Sequence, residues 1–246
     1  MRFLVFGENC EDVFQYGSAT RLDPAAPAPI LVPQRRTVNS GMAGNVVTNL
    51  KSLGAEVVFY TQPNKITKTR FVDEKTNHLL MRLDIGDSET SPLAIDFIKS
   101  IDFNEFDCIV ISDYCKGFLT YEAVEEICKK HNNVFIDTKK IINESFSNAT
   151  FMKINSVEYA SSKDSISKVK GLEDKLIVTT AKDGCTYKGK TYPVSRVEVK
   201  DHSGAGDTFL AALAFKYTEI KDIDLSITFA NECATKVVSK RGVASI

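Results

Sequence analysis

Short apolar runs alternate along the chain with segments of helical periodicity. The apolar runs are continuous in hydrophobic and β-branched residues, which is typical of strands buried on both faces of a parallel sheet. These runs lie at 2–7, 55–60, 108–112, 134–137, 150–154 and 176–180. Helical spacing predicts helices at 45–53, 121–130, 207–217 and 225–239. The alternation predicts an open α/β fold, with helices on both faces of a mainly parallel sheet.

Two segments break this alternation and predict a small projection from the main layers. Residues 68–84 alternate between apolar and polar positions on both sides of a polar turn at 73–77. Residues 16–36 are irregular and rich in proline. We expect both segments to form a lid on a single domain that spans 1–246.

Composition and charge exclude several classes of protein. The 31 Lys and Arg residues nearly balance the 32 Asp and Glu residues, so the formal net charge is −1. Nucleic-acid and anionic-membrane binders usually carry a basic excess, so neither partner is expected. No apolar run approaches the roughly 18 residues that a membrane-spanning helix needs. The six cysteines form no CxxC pair, which favours reduced thiols in a cytoplasmic protein over a disulfide framework or a metal cluster.

The most informative motif is DHSGAGDTF at 201–209, which precedes an apolar helical segment. Small residues at Gly204, Ala205 and Gly206 let the chain turn and free its backbone N–H groups. A helix that begins there also directs the positive end of its dipole at the same point, so the motif predicts an anion hole. Asp207 at the rim could accept a proton from an attacking hydroxyl group. It could equally be an N-cap after a glycine-rich turn, and the spacing leaves both readings open.

The GAGDTF segment resembles the signature of the ribokinase-like (PfkB) sugar kinases. Further segments occur in the order seen in one branch of that family, the D-glycero-D-manno-heptose 7-phosphate kinases. They are YGSATRLDPAAPAP at 16–29, GMAGNV at 41–46, SDYCKG at 112–117, DTK at 137–139, NSVE at 155–158, FANECA at 229–234 and VVSKRGVA at 237–244. The resemblance implies a three-layer ribokinase-like fold with a small β lid. It also implies ATP-dependent, Mg²⁺-dependent phosphorylation of a heptose 7-phosphate at its anomeric oxygen, O1.

The resemblance assigns roles to the motif residues. It makes Asp207 the catalytic base. It also implies that the backbone N–H groups of 204–206 stabilise the charge that develops on the transferred phosphoryl group. It places Asn155, Ser156, Val157 and Glu158 near the ATP phosphates, with Glu158 on the side of the metal. The same N-x-x-E spacing is also that of a helix capping box, and both roles can hold together. The nucleotide-side candidates are Thr179, Lys182, Gly184 and Asn231.

The acceptor-side candidates are Asp12, Gly41 and Asn45, and Asn45 could instead only cap the helix that it opens. If the turn at 73–77 closes a hairpin centred on Lys75, Lys68 faces Arg82 and Arg70 faces Leu80. Lys68, Arg70 and Arg82 then share one face and could clamp a substrate phosphate. The alternative is a solvated face whose charge is relieved by Asp84 or Glu74.

Among the departures from the family pattern are Glu8, where relatives have Asp, and Met42, where they have Gly. Together with the short chain, they leave two alternatives to the heptose phosphate kinase. One is a kinase for another sugar or sugar phosphate, and the other is a non-catalytic sugar or nucleotide sensor. We also expect a homodimer formed through the lid.

Overall fold

The structure is a computed structural model that describes residues 1–199, 201–239 and 245–246. An eight-stranded sheet contains six neighbouring parallel strands. They are β1 (Arg2–Gly7), β4 (Glu56–Tyr60), β7 (Cys108–Asp113), β8 (Val134–Thr138), β9 (Phe151–Asn155) and β10 (Leu176–Thr179). An antiparallel pair, β11 (Cys185–Tyr187) and β12 (Lys190–Tyr192), completes one edge, in the order β12-β11-β10-β9-β8-β7-β1-β4. All six predicted strands are therefore confirmed, with bounds shifted by no more than one residue.

Helices cover both faces of this sheet, as the α/β pattern predicts. One face carries α1 (Ala43–Ser52), α5 (Ala205–Ile220) and α6 (Ile223–Val238), and the other carries α2 (Ile95–Ser100), α3 (Tyr121–Lys130) and α4 (Ser156–Ile166). Side chains of β1 alternate between the two cores: Phe3 and Val5 pack with the first set of helices, and Leu4 and Phe6 with the second. Because the strands are buried on both faces, their sequences are mostly apolar, and Asp137 on β8 and Lys153 on β9 are exceptions.

A second, four-stranded sheet forms the lid. Its strands are β2 (Asn9–Asp23), β3 (Ala26–Met42), β5 (Thr67–Asp73) and β6 (Leu79–Ile85), in the order β3-β2-β5-β6. The expectation of an irregular segment at 16–36 is wrong, because this segment forms most of a long antiparallel hairpin. Three of its prolines, Pro27, Pro29 and Pro33, lie on β3. Since β3 is an edge strand, residues without an N–H donor are tolerated there.

The register of the β5–β6 hairpin also differs from the prediction. Arg70 faces Arg82 and Lys68 faces Asp84, rather than Lys68 facing Arg82. The strands are connected by residues 74–78 rather than 73–77, the Asp73 side chain accepts hydrogen bonds from Thr76, and a register shift follows Phe71. A displacement of two residues preserves the alternation, so Lys68, Arg70 and Arg82 still share one face.

Three sequence expectations can be compared directly with the described residues. None of their helices is long and apolar enough to cross a membrane. The six cysteines are all free. Among the same residues, no group of three or more His, Cys, Asp or Glu side chains could hold a metal ion.

Candidate active site

The carboxyl ends of the parallel strands and the N-terminus of α5 border one cavity of about 1080 Å³. Tyr114 follows β7, Asp137 lies near the end of β8, Asn155 ends β9 and Thr179 ends β10, and all four line it. Parallel strands bring residues that are distant in sequence to one edge of the sheet. The cavity is therefore the place where the sequence motifs meet.

The GAGD motif forms the start of α5. Gly204 is the N-cap residue and has φ 82°, in the left-handed region that favours glycine. No side chain caps this helix, and its first residues line the cavity, so the positive end of its dipole lies at the cavity wall. A Cβ on Gly206 would lie 2.9 Å from the Nζ atom of Lys153, which places that cation beside the helix start. Gly204, Ala205 and Gly206 all line the cavity, which supports the predicted anion hole.

Asp207 is the third residue of α5, so its interpretation as an N-cap is wrong. Its carboxylate is buried and accepts hydrogen bonds from Tyr114 Oη at 2.7 Å and from Asn45 Nδ2 at 3.1 Å. Burial raises the pKa of Asp207 to about 6, although the Tyr114 and Asn45 hydrogen bonds oppose the rise. The neighbouring Asp137 raises the pKa further and Lys153 lowers it. A carboxylate with a pKa near 6 is largely ionised at neutral pH and is still basic enough to accept a proton.

Two lysines lie on the floor of the cavity. Lys153 is 5% exposed at its side chain and its Nζ lies 2.5 Å from Asp137 Oδ2. Lys139 pairs with Glu158 and lies 3.8 Å from Asp137 Oδ1. The sequence reasoning missed Lys153. The signal for it was a charged residue inside the buried strand FMKIN, where an unpaired charge would be costly.

The Asn155–Glu158 motif forms the predicted capping box. Asn155 Oδ1 accepts hydrogen bonds from the backbone N–H groups of Val157 and Glu158, and Glu158 Oε2 accepts one from the Asn155 N–H at 2.8 Å. Asn155 and Ser156 line the cavity. Val157 is not among its lining residues and is 72% exposed, so its side chain is turned to solvent.

Asp137 offers the carboxylate oxygen best suited to a divalent cation. Its Oδ1 atom is buried and has no hydrogen-bond partner within the described residues. Both Glu158 oxygens are engaged, one by Lys139 and one by the helix start. Mg²⁺ is commonly held by one or two carboxylates together with phosphate oxygens and water, and these residues fit that pattern.

The nucleotide-side candidates gather at the other end of the cavity. Thr179, Lys182, Gly184 and Asn231 all line it. Gly184 has φ 89°, and a Cβ there would lie 2.1 Å from the carbonyl oxygen of Tyr192. Asn231 donates a hydrogen bond to that same carbonyl at 3.0 Å. The Tyr192 carbonyl thereby connects the loop that contains Gly184 to helix α6 at this wall of the cavity.

The acceptor-side candidates Asp12, Gly41 and Lys68 lie on the strands of the lid and are not among the residues that line the cavity. Asp12 is buried on β2 and forms an ion pair with Arg70 of β5. A Cβ on Gly41 would lie 2.3 Å from Asp12 Oδ2, so only glycine leaves room for this carboxylate. Lys68 lies with its Nζ 5.9 Å from the Tyr114 ring.

Two of these candidates occupy places that differ from the expectation. Asn45 lies inside α1 rather than at its cap, and it donates to Asp207 and to the Gly204 carbonyl at 3.3 Å. Arg82 is half exposed and donates to both oxygens of Asp84. The segment 240–244 of the closing motif lies outside the described residues.

Comparison with known proteins agrees with this geometry. Residues 61–246 match the pfkB family carbohydrate kinases. The bifunctional protein HldE of Rhodopseudomonas palustris is 29% identical over 298 aligned positions, covering 99% of this chain and 61% of that protein. The chain thus spans about three fifths of the length of this relative.

Solved structures share the fold. Ribokinase from Thermotoga maritima matches with a TM-score of 0.69 at 19% identity, covering 98% of this chain and 94% of that chain. Arabidopsis thaliana ribokinase, solved in complex with ribose and ATP, matches with a TM-score of 0.67 at 13% identity, covering 98% and 93%. The three-layer fold with its β lid is therefore ribokinase-like. With the family match extending over most of the chain, the protein belongs to the pfkB family of carbohydrate kinases, phosphotransferases that act on an alcohol group of a sugar.

Proposed function

We propose that this protein phosphorylates D-glycero-D-manno-heptose 7-phosphate at O1 with ATP, and that residues 1–246 act as one kinase domain. The observation that carries the chemistry is Asp207, a buried carboxylate in the first turn of α5 beside amides that no side chain caps. The proposal for the sugar rests on the ordered motifs of the heptose phosphate kinase branch. The Arabidopsis neighbour, solved with ATP, supports the choice of nucleotide.

In the proposed reaction, Asp207 accepts the proton of the O1 hydroxyl. The O1 oxygen forms a bond to the γ-phosphorus of ATP as the bond to the bridging β,γ-oxygen breaks, and ADP leaves with that electron pair. The amides of 204–206 and the Lys153 ammonium stabilise the charge on the transferred group. Thr179, Lys182, Gly184 and Asn231 form the nucleotide wall, and the Lys182 ammonium would pair with the phosphates there.

Mg²⁺, when bound, neutralises charge on the ATP phosphates and aligns them for in-line transfer. We propose that Asp137 holds it through Oδ1, which accepts no hydrogen bond within the described residues and lies 3.8 Å from the Lys139 ammonium, and that Glu158 acts through water. Asn155 and Ser156 line the same cavity.

An assay of ADP release over a panel of sugars tests the proposal. The panel contains D-glycero-D-manno-heptose 7-phosphate, the unphosphorylated heptose, ribose and fructose 6-phosphate. We expect the heptose 7-phosphate to give the highest kcat/KM. Equal use of unphosphorylated sugars would instead favour a plain sugar kinase. The Asp12–Arg70 ion pair supports that alternative, because Asp12 already neutralises the charge of the arginine. A protein that binds sugar and ATP but releases no ADP would be a sensor.

Arg70 and Arg82 separate phosphate recognition from general charge on the lid. Arg70 is largely buried beside Asp12, whereas Arg82 is half exposed and held by Asp84. We expect Arg70→Ala to raise the KM for the sugar phosphate about tenfold or more, because charged hydrogen bonds are strong. The KM for ATP should be unchanged in the same assay.

Arg82→Ala provides the comparison on the same face of the lid. We expect a smaller rise in KM, because Asp84 competes for this guanidinium and solvent screens it. Thermal melting of both variants checks that the lid still folds. If neither substitution changes the KM, the phosphate site is not formed by these arginines.

The lid also presents an apolar row that we propose as a homodimer contact. Leu79, Met81, Leu83 and Ile85 alternate along the edge strand β6, and each is between 44% and 57% exposed. Leu83→Asp should convert a dimer to a monomer in sedimentation velocity, whereas Lys75→Asp in the adjacent turn should not. A monomeric wild type at micromolar concentration would contradict this assembly.

Six free thiols support a reducing compartment, and we place the enzyme in the cytoplasm.

A further inference from the structure

The loop that follows β7 is anchored by a buried carboxylate outside the proposed reaction. Glu8 is fully buried at the end of β1. Its side chain accepts hydrogen bonds from the backbone N–H groups of Tyr114 at 2.8 Å, Lys116 at 3.0 Å and Phe118 at 3.2 Å. Three backbone donors on one carboxylate hold the loop in a single conformation. Glu8 is therefore committed to the loop and does not act on the sugar.

The same loop is held from its other side. Asp113 accepts hydrogen bonds from the Cys115 N–H at 2.9 Å and from Lys140 Nζ at 2.6 Å. Cys115 has φ 56°, so the chain turns sharply directly after Tyr114. Thr138 donates to the same aspartate at 2.8 Å, which ties the loop to β8. The position of the Tyr114 backbone is thus set by two strands of the main sheet.

Tyr114 directs its phenol from this anchored loop at Asp207. The Oη–Oδ1 distance is 2.7 Å, and Asn45 occupies the other oxygen, Oδ2. Each oxygen retains a second lone pair, so the carboxylate is held at both ends while it can still accept the proton of an incoming hydroxyl. The ring packs among Cys10, Met42 and Ile66.

We propose that Tyr114 is a positioning residue for phosphoryl transfer: it orients the Asp207 carboxylate and stabilises its ionised form, and Glu8 sets its place. This inference rests on the proposed role of Asp207 as the base. The phenol donates a hydrogen bond and keeps its own proton, while the acceptor proton goes to Asp207. Burial, Asp207 and Asp137 raise the pKa of Tyr114 well above 10, so it remains neutral at the working pH.

The surroundings of Asp207 determine the sign of the expected pH effect. The titratable and charged groups that act on it are Tyr114, Cys10, Asp137, Lys139 and Lys153. The Tyr114 hydrogen bond lowers the pKa of Asp207, so its removal raises that pKa. Catalysis needs the ionised carboxylate, so the acid limb of the rate profile should move to higher pH.

The test is Tyr114→Phe, which removes one hydroxyl and keeps the ring. Wild-type kcat/KM should fall as the pH drops through about 6, the pKa of Asp207. In Tyr114→Phe the midpoint should lie about one unit higher, and kcat on the plateau should fall about tenfold. Tyr121→Phe is the matched control, because Tyr121 donates to the Ile141 carbonyl at 3.0 Å and is not among the cavity-lining residues. It should retain the wild-type profile.

A carbon-13 titration of the Asp207 carboxyl resonance, assigned by its loss in Asp207→Asn, gives a readout that needs no turnover. The midpoint should rise in Tyr114→Phe and remain unchanged in Tyr121→Phe. An active Tyr114→Phe enzyme with the wild-type midpoint and kcat would overturn the inference while leaving the kinase proposal intact. If no sugar is phosphorylated, the titration still decides whether Tyr114 controls Asp207.

Discussion

Asp207→Asn should lower kcat by roughly 10²- to 10⁴-fold and leave ATP binding near the wild-type level. The substitution is close to isosteric, and an amide oxygen can still accept a hydrogen bond from Tyr114 or Asn45. What it removes is the ability to take a proton from the acceptor hydroxyl. The measurements are steady-state ADP release with the sugar phosphate and calorimetric titration with ATP.

Asp164→Asn is a suitable control for that experiment. Asp164 lies on the exposed side of α4, away from the residues that line the cavity. The same change in charge and shape should leave kcat unaltered there. A wild-type kcat in Asp207→Asn would show that Asp207 has only a structural role in the first turn of α5, and the proposed mechanism would be wrong.

Lys153→Met should lower kcat by roughly 10²- to 10³-fold, comparable to the loss of one preorganised donor to a transition state. The Lys153 ammonium lies beside the start of α5 and is nearly inaccessible to solvent. In such a site a charge acts strongly on a developing negative charge, because water screens it poorly. Methionine preserves most of the side-chain volume, so packing is little changed. Single-turnover phosphoryl transfer measures the effect on the chemical step.

The same substitution should also destabilise the fold, because it leaves Asp137 buried without its main cation. Removing one partner of a buried ion pair costs about 3–5 kcal/mol, whereas replacing both partners is often neutral. The double variant Lys153→Met/Asp137→Asn should therefore recover most of the lost thermal stability, and it tests only the ion pair, because Asp137 is itself the proposed metal ligand. A wild-type rate of single-turnover transfer in Lys153→Met alone would show that Lys153 serves the fold and not the transfer.

The main sheet could be predicted from the sequence because its signals are local. The strand Arg2–Gly7 and the helix Tyr121–Lys130 were predicted with the bounds that the structure shows. Continuous apolar runs indicate strands buried on both faces, and helical spacing indicates the layers between them. The capping box at Asn155 was readable for the same reason, since its partners lie three residues apart.

The lid shows where local patterns mislead. Its prolines suggested irregular structure at 16–36, yet the segment pairs as a hairpin because β3 lies at the edge of the sheet. The β5–β6 register depended on hydrogen bonds of Asp73 in the turn, which the alternation of side chains does not specify. Alternation determines which residues share a face, and so that part of the prediction survived.

The sequence alone determined the α/β layering, and it singled out the start of α5 and Asp207 as candidates for an anion hole and a catalytic base. The tertiary structure decided which side chains surround that base. Tyr114 and Asn45 reach it across 93 and 162 residues of chain, and Lys153 lies near it on the buried strand β9. Contacts of this range depend on which strands are neighbours and on where each ends. Local periodicity carries no information about either, because it reports only which face of an element is buried.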